Sequence, residues 1–184
     1  VTMPANMELE GERFVAIPKQ GELKLNPDAE YVHYTSNNTV CGTEWHYIPD
    51  VKGKSLVCDM SSDIFSRPLD YSKYAMFYAG AQKNLGPSGL TIVAVKEDFF
   101  ARCQEQAKLP TMLSYRTHEE ENSLYNTPPC FSIYMLNLTL QWLDRNGGLE
   151  AMEKVNEEKG RIIYGAIDAS GGVDGTAASA SAAS

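Results

Sequence analysis

One lysine, Lys83, lies in a segment rich in Gly and Pro between two apolar runs, at residues 74–81 and 90–95. Short apolar runs bounded by Gly and Pro are typical of buried strands. We therefore expect Lys83 at the mouth of a strand, partly withdrawn from water, where desolvation favours the neutral amine. A neutral amine can attack a carbonyl carbon and form a Schiff base. The competing interpretation, which the frequency of surface lysines favours, is an ordinary solvated charge.

A carboxylate follows another apolar run upstream. Residues 56–60 read LVCDM, and two serines come after Asp59 and Met60. An Asp in such a strand requires a cation or strong hydrogen-bond donors, and ligands of α/β sheets bind beyond the carboxyl ends of adjacent strands. A lysine and an acid are what pyridoxal phosphate requires, the first for its aldehyde and the second to keep its ring nitrogen protonated. A structural Asp59–Lys83 ion pair fits the same spacing equally well.

Two further polar segments offer anion contacts. The run Asn126-Thr127-Pro128-Pro129 precedes a strongly apolar segment, predicted as a helix over 129–142 with Thr127 as its N-cap. Free N–H groups at a helix start attract phosphate, although a plain capped helix is the commoner case. The loop at residues 36–39 follows a predicted strand at 31–35 and offers hydroxyl and backbone donors. An ordinary turn is the alternative there.

The remaining pattern predicts helices between the strands. Residues 61–66 favour a short helix, 99–108 a helix preceded by acids, and 149–164 an amphipathic helix after the stop signal Asn146-Gly147-Gly148. Residues 113–124 are interpreted as a mobile polar loop. The 129–142 helix is apolar nearly all round, which predicts burial on both sides.

Composition narrows the class of protein. The formal net charge is −8 over 184 residues, which argues against binding to nucleic acid or to an anionic membrane. Four widely spaced cysteines and three histidines show no metal-ligand spacing, so no metal site is predicted. We find no signal peptide and no long apolar stretch, and expect a soluble, cytoplasmic protein. Residues 171–184, GGVDGTAASASAAS, are predicted to be disordered.

Four separated motifs carry a resemblance. They are YVHYTSNNTVCGTEW, DMSSDIFSRPLD, GAQKNLGPSGLTIV and YNTPPCFSIYMLNLTLQWL. In this order they resemble the phosphoserine aminotransferases, which are class-V, fold-type-I enzymes dependent on pyridoxal 5′-phosphate. The likeness runs from about the first residues to about Ser170 and is not expected in the tail.

The resemblance implies a fold and a domain plan. The fold is α/β, a three-layer αβα arrangement that forms the C-terminal part of a mainly parallel-sheet large domain. Residues 1–155 would be a partial cofactor-binding domain, 156–170 the start of the link to a small domain, and 171–184 a tail without counterpart. A chain that lacks the early strands would expose a sheet edge and an apolar face.

The resemblance also implies roles for individual residues. Lys83 would hold the cofactor covalently and move the substrate α-proton, while Asp59 would keep the ring nitrogen protonated. Thr39 would contact the ring and Gln82 the phosphate. Asn126 and Thr127 would reach the phosphate of the other subunit in a homodimer with shared active sites.

The implied reaction is transamination between O-phospho-L-serine and 2-oxoglutarate in L-serine biosynthesis. One alternative is a truncated, non-catalytic fragment that dimerises with full-length subunits, because the family's early phosphate loop, stacking aromatic residue and substrate arginine are expected outside this segment. Another is a related class-V enzyme such as a cysteine desulfurase. Such an enzyme normally carries His before the lysine, so Gln82 counts against it.

Overall fold

A computed structural model describes residues 2–3, 8–9, 13–14, 16–102 and 109–170. The strands are β1 (Glu8–Leu9), β2 (Arg13–Phe14), β3 (Tyr31–Thr35), β4 (Asn37–Asn38), β5 (Thr43–Glu44), β6 (Ser55–Asp59), β7 (Met76–Gly80) and β8 (Thr91–Val95). The α-helices are α1 (Glu97–Ala101), α2 (Tyr115–Glu120), α3 (Cys130–Arg145) and α4 (Gly148–Ala169). Three short 3-10 turns lie at Gln20–Glu22, Tyr71–Lys73 and Thr111–Leu113.

The main sheet has four strands in the order β3-β6-β7-β8. The first three are parallel, and β8 runs antiparallel to β7. The strands predicted at residues 31–35, 56–60, 74–81 and 90–95 are therefore confirmed, and so is a mainly parallel α/β sheet. Because β3, β6 and β7 are parallel, their last residues lie at the same edge of the sheet. These residues are Thr35, Asp59 and Gly80.

One face of this sheet carries the core. Its strands contribute Tyr34, Leu56, Cys58 and Ala79, and α3 packs against the same cluster through partly buried leucines, Leu136 and Leu140. Successive side chains of a strand point to opposite faces, so alternate residues face the core. This alternation produces the pattern of exposed and buried residues along β3.

The opposite face of the sheet is covered only in part. Tyr31, Val93 and Val95 are exposed there, while Tyr115 at the start of α2 lies near enough to Tyr78 to affect the pKa of its hydroxyl. The expectation of an exposed apolar sheet face is confirmed for the described part of this chain.

Two local predictions were wrong. Residues 61–66 form a hydrogen-bonded turn in place of a helix, with Ile64 N donating to Met60 O at 2.9 Å and Phe65 at a φ of 59°. The left-handed backbone at Phe65 is incompatible with continuing a right-handed helix. Residues 113–124 were predicted as a loop, but they contain α2.

The helices also differ in their limits. The helix predicted over 99–108 begins at Glu97, and residues 103–108 lie outside the described part. Helix α3 starts at Cys130 with Pro129 as its N-cap, so the prediction of Thr127 as N-cap was wrong. Helix α4 continues to Ala169, beyond the predicted end at 164. The stop between α3 and α4 is confirmed, since Gly147 has a φ of 93°, the left-handed conformation that glycine adopts without strain.

The prediction that α3 is buried on both sides was wrong for this chain. Phe131 is 71% exposed and Trp142 is 54% exposed, and Tyr134 is exposed as well. Only the side with Leu136 and Leu140 meets the core. Ile133, on the other side, is exposed too in the described part of the chain.

The predicted domain boundaries at 155 and 170 stay predictions. Helix α4 runs without interruption across residue 155. The tail at 171–184 lies outside the described residues. None of the helices in the described ranges combines the length and the apolar character needed to span a membrane.

Candidate functional site

The candidate site lies where the parallel strands end. Asp59 is the last residue of β6, paired with Thr35 of β3 on one side and Tyr78 of β7 on the other. This edge is the usual ligand-binding edge of an α/β sheet. The expectation that Asp59 lies at a strand end is confirmed, and its side chain is only half-buried.

Ser61 fixes the orientation of the Asp59 carboxylate. The Ser61 backbone N–H donates to Oδ1 of Asp59 at 2.9 Å, and the Ser61 hydroxyl donates to the same oxygen at 2.6 Å. The hydroxyl also accepts a hydrogen bond from Gly80 N at 3.0 Å. Ser61 therefore joins the end of β6 to the end of β7. The Asp-x-Ser spacing is the sequence signal that could have identified it, because Asp side chains commonly bind the backbone two residues on.

The turn that carries Lys83 is held from both ends. Ala81 and Leu85 are fully buried, and Gly86 N donates to Ala81 O at 2.9 Å. Asn84 Nδ2 donates to Ile64 O at 2.6 Å, which attaches the turn to the segment after Asp59. The lysine therefore projects from a fixed backbone.

Lys83 is exposed, contrary to the expectation that it is partly withdrawn from water. Its flanking apolar residues point into the core, while the lysine side chain extends across the surface to the β4–β5 hairpin. There its Nζ donates to Thr39 Oγ1 at 3.0 Å. The proposed Asp59–Lys83 ion pair is not formed, since Asp59 bonds to Ser61 and Lys83 to Thr39.

Thr39 lies at the tip of the hairpin formed by β4 and β5. Asn38 holds this tip, because its Oδ1 accepts from Val40 N at 3.0 Å and from Cys41 N at 3.2 Å. Gly42 closes the tip with a φ of 70°, and its N–H donates to Asn38 O at 2.8 Å. The interpretation of this segment as a donor loop stays a prediction.

Gln82 lies beside Lys83 and is exposed. Its side chain folds back over Gly80, where a Cβ atom would approach Gln82 Oε1 to 2.5 Å. The absence of a side chain at Gly80 therefore gives Gln82 its place at the end of β7. No contact in the described ranges tests its predicted role on a phosphate.

Asn126 and Thr127 are not brought to Lys83 or Asp59 within the described chain. Both are exposed, and Asn126 Nδ2 donates to Thr127 O at 3.2 Å. The start of α3 does contact the lysine segment, since Ser132 Oγ donates to Ser88 O at 3.2 Å. The predicted role of the two residues across a subunit interface is neither supported nor opposed by this arrangement.

Sequence reasoning missed a polar pair beside Asp59. His33 Nε2 lies 3.1 Å from the Tyr78 hydroxyl, and the two rings are stacked with centroids 6.0 Å apart. The pKa of Tyr78 is raised, first by burial and then by the charge of Asp59. No spacing rule in the sequence relates His33 to Tyr78, because their proximity depends on the strand order.

The layer beneath the site is buried and polar. The Tyr34 and Tyr74 hydroxyls lie 2.8 Å apart, and burial raises the pKa of Tyr74 and of the Cys58 thiol to about 12 each. Asp63 is also buried, where burial outweighs the hydrogen bond from Ser36 and raises its pKa. Both thiol and phenols are therefore neutral near pH 7 and unsuited to act as nucleophiles there.

Arg67 has a structural role. Its Nη2 donates to Trp45 O at 2.6 Å, and its Nε lies 3.5 Å from Glu44 Oε1. Trp45 in turn packs against Tyr34 and Tyr47. These contacts fix the β4–β5 hairpin, and with it Thr39, against the core.

Known proteins are similar to this chain in sequence and in fold. The aminotransferase class-V family model matches residues 7–183, which extends into the tail where no likeness was expected. The chain is 54% identical over 169 residues to the phosphoserine aminotransferase of Desulfosudis oleivorans, a match that covers 91% of this chain and 46% of that protein. The phosphoserine aminotransferase of Herpetosiphon aurantiacus is 52% identical over 163 residues, 89% of this chain and 45% of its own length.

Solved structures agree. The phosphoserine aminotransferase from Bacillus circulans subsp. alkalophilus superimposes with a TM-score of 0.81 at 49% identity, covering 86% of this chain and 43% of that one. A PLP-bound phosphoserine aminotransferase from Trichomonas vaginalis gives a TM-score of 0.82 at 36% identity, covering 90% and 48%. The chain thus spans slightly less than half the length of the curated relatives it matches.

The predicted resemblance is therefore confirmed. Because the family model covers nearly the whole sequence, the chain belongs to the aminotransferase class-V family.

Proposed function

We propose that this chain supplies the lysine-bearing part of a phosphoserine aminotransferase, which transfers an amino group between O-phospho-L-serine and 2-oxoglutarate in L-serine biosynthesis. Two features at the same edge of the sheet carry this proposal. One is an exposed lysine on a turn that the buried residues Ala81 and Leu85 anchor, and the other is a carboxylate held in place. Lys83 Nζ is 3.0 Å from Thr39 Oγ1, and Asp59 is held by Ser61. The names of the relatives supply the substrate class.

The residues at this edge suit pyridoxal 5′-phosphate. Asp59 uses Oδ1 for both hydrogen bonds from Ser61, and as a carboxylate it retains acceptor capacity for a protonated ring nitrogen. When bound, the cofactor supplies an electron sink for the electrons left by removal of the α-proton. A solved relative described as PLP-bound supports the same assignment.

Lys83 has two tasks in this proposal. Its Nζ would hold the cofactor covalently, and as a free amine it would act as the general base that removes the proton from the substrate α-carbon. The Thr39 hydroxyl accepts the hydrogen bond from Lys83 Nζ in this structure, and it would contact the ring of a bound cofactor. Asp59 keeps the proton on the ring nitrogen.

The phosphate requires local donors, because the chain carries a net charge of −8. Gln82 is exposed next to Lys83 and is assigned to the phosphate of its own subunit. Asn126 and Thr127 are exposed before α3 and are assigned to the phosphate in the partner. These assignments extend the family resemblance to individual residues of this chain.

A homodimer belongs to the same proposal. The exposed apolar side of α3, with Phe131 and Trp142, is suited to pack against a second copy. A shared site would place the Asn126-Thr127 segment of one subunit near the other subunit's Lys83. The cytoplasmic location expected from the sequence stays a prediction.

The test is turnover by the purified chain with added pyridoxal phosphate. We expect amino transfer from O-phospho-L-serine to 2-oxoglutarate, loss of turnover in Lys83→Ala and retained turnover in Lys73→Ala. Lys73 is an exposed lysine before the amino end of β7 and serves as the matched control. Sulfide release from cysteine without amino transfer would instead indicate a desulfurase and contradict the proposal.

A non-catalytic fragment is the second candidate. The exposed side of α3 and the coverage of less than half of each relative favour it. It predicts that the chain alone shows no turnover and co-purifies with the full-length enzyme of Desulfosudis oleivorans when both are expressed together. Turnover by the isolated chain would rule this candidate out.

A further inference from the structure

A row of polar side chains crosses the sheet behind the candidate site. Asp59 is the register partner of both Thr35 and Tyr78, and His33 precedes Thr35 by two residues. Residues two apart on a strand share a face. His33, Asp59 and Tyr78 therefore lie on the face of the sheet away from the core.

The contacts within this row are close. His33 Nε2 is 3.1 Å from the Tyr78 hydroxyl, and the stacked rings meet at an interplanar angle of 24°. Asp59 and Tyr78 are register partners on the same face of the sheet, and the charge of Asp59 acts on the Tyr78 hydroxyl. Tyr78 therefore stands between an imidazole and a carboxylate.

The direction of these hydrogen bonds follows from donor and acceptor chemistry. An ionised carboxylate only accepts, whereas a phenol has one O–H to donate and lone pairs to accept with. If the Tyr78 hydrogen goes to Asp59, the bond to His33 requires the imidazole to donate from Nε2. The hydrogen bonds would then form a chain in which His33 Nε2–H donates to the Tyr78 oxygen and the Tyr78 O–H donates to Asp59.

We propose that His33 and Tyr78 are positioning residues for Asp59, forming a directed hydrogen-bond chain that holds this carboxylate in place at the sheet edge. The chain gives Asp59 a third donor besides the backbone and hydroxyl of Ser61. This inference rests on the proposed function for its purpose, since a charged Asp59 is what a protonated pyridine nitrogen needs.

The two neighbours of Tyr78 have opposite effects on its ionisation. A donor to the phenolate oxygen stabilises the phenolate, whereas a nearby carboxylate destabilises it. Removing His33 as a donor should raise the pKa of Tyr78, and neutralising Asp59 should lower it. Tyr115 and Cys58 also act on Tyr78, but neither is altered in these variants.

The experiment is a titration of the Tyr78 hydroxyl by NMR, using tyrosine labelled with ¹³C at Cζ and assigned with Tyr78→Phe. We expect His33→Leu to raise the pKa of Tyr78 and Asp59→Asn to lower it, each by about one pH unit. His33→Gln, which places an amide N–H near the position of Nε2, should restore the wild-type value. Amide spectra recorded at each pH confirm that the chain is folded.

A merely structural role for His33 would not produce this pattern. A fall in the pKa of Tyr78 in His33→Leu, or no change in Asp59→Asn, would overturn the proposal. If a variant does not fold, the wild-type chain still gives an answer through the ¹⁵N shifts of the His33 ring at about pH 8.5. Protonation at Nε2, with a shift that moves in Tyr78→Phe, supports the chain, and protonation at Nδ1 overturns it.

These measurements need no cofactor, so they are separate from the test of the proposed function. If the protein fails to bind pyridoxal phosphate but shows the expected pKa changes of Tyr78, the proposed function is contradicted. The hydrogen-bond chain is then still supported. Where the cofactor binds, Tyr78→Phe should weaken its affinity about tenfold, the cost of one hydrogen bond to a charged group. An unchanged affinity of Tyr78→Phe for pyridoxal phosphate would contradict the positioning role of Tyr78.

Discussion

At the scale of single residues, Ser61 governs how Asp59 is presented. Its hydroxyl donates to Asp59 at 2.6 Å and accepts from Gly80 N at 3.0 Å. Ser61→Ala removes both bonds of the hydroxyl, and of the two donors from Ser61 only the backbone N–H to the carboxylate is left. The side-chain hydroxyl therefore determines how firmly this acid is oriented at the sheet edge.

We predict that Ser61→Ala weakens binding of pyridoxal phosphate about tenfold and lowers the free energy of unfolding by about 1 kcal/mol, because one charge-assisted bond is lost and one N–H loses its acceptor. Absorbance titration and urea unfolding measure the two effects. Ser62→Ala is the control, since the Ser62 hydroxyl donates to Asn37 O and not to Asp59. Equal cofactor affinities in the two variants would contradict the role of Ser61.

The buried carboxyl of Asp63 should make stability depend on pH. Its pKa is raised, chiefly by burial, and Oδ2 has no hydrogen-bond partner in the described part of the chain. The folded state therefore binds the proton more tightly than the unfolded state. The stability that comes from protonated Asp63 is fully present below the unfolded pKa of about 3.9, and it is lost as pH rises through the folded pKa.

Asp63→Asn should accordingly gain stability over wild type as pH rises, because Asn still accepts from Ser36 and carries no charge. The gain is about 1.4 kcal/mol for each unit by which the folded pKa exceeds the unfolded one. Urea unfolding between about pH 4 and pH 8 measures it, with Asp28→Asn at an exposed position as control. A stability difference that does not change with pH would refute the assignment.

At the scale of elements, the lysine turn depends on its contact with α3. Gly86 has a φ of 135°, and a Cβ there would meet Thr139 Oγ1 at 3.3 Å. We predict that Gly86→Ala lowers the free energy of unfolding by about 1 kcal/mol or more, since both the backbone conformation and the space oppose a side chain. Urea unfolding measures the loss.

Gly21→Ala is the matched control for that variant. A Cβ at Gly21 meets nothing within 4 Å, and its φ is not in the left-handed region. It should change the free energy of unfolding little. Equal losses in the two variants would show that the lysine turn is not held in the way described.

The sequence predicted the strands and the chemistry at their ends. Short apolar runs located β6, β7 and β8, and the residues that follow them identified Asp59 and Lys83. It did not predict the hydrogen-bonding partners, because Ser61 meets Asp59 through turn geometry and His33 meets Tyr78 through the strand order. The helix predicted at 61–66 failed for a local reason, the left-handed backbone of Phe65.

The prediction that α3 is buried on both sides failed for a different reason. An apolar helix indicates that its residues are covered, but not which chain covers them. In the described residues only one side of α3 meets the core. The apolar pattern of α3 therefore did not predict that Phe131 and Trp142 are exposed in this chain.

At the scale of the whole molecule, the exposed side of α3 is expected to drive self-association. Phe131 and Trp142 are both more than half exposed, and burying such aromatic residues is favourable. We predict that the chain dimerises as concentration rises and that Phe131→Glu with Trp142→Glu weakens dimerisation at least tenfold. Sedimentation velocity measures the association.

Val155→Glu serves as the comparison for that pair of changes. Val155 is an exposed apolar residue on α4, so its replacement tests whether the association depends on α3. We expect a smaller effect. Monomeric wild-type chain at all concentrations would contradict the homodimer proposal.

The central claim is that Lys83 is the residue that holds the cofactor, and covalent mapping tests it most directly. The chain is titrated with pyridoxal phosphate, reduced with borohydride and digested, and the modified peptide is identified by mass spectrometry. The account predicts one dominant pyridoxyl group on Lys83, lost in Lys83→Ala and retained in Lys73→Ala. Label scattered over exposed lysines, or the same labelling in Lys83→Ala, would contradict it.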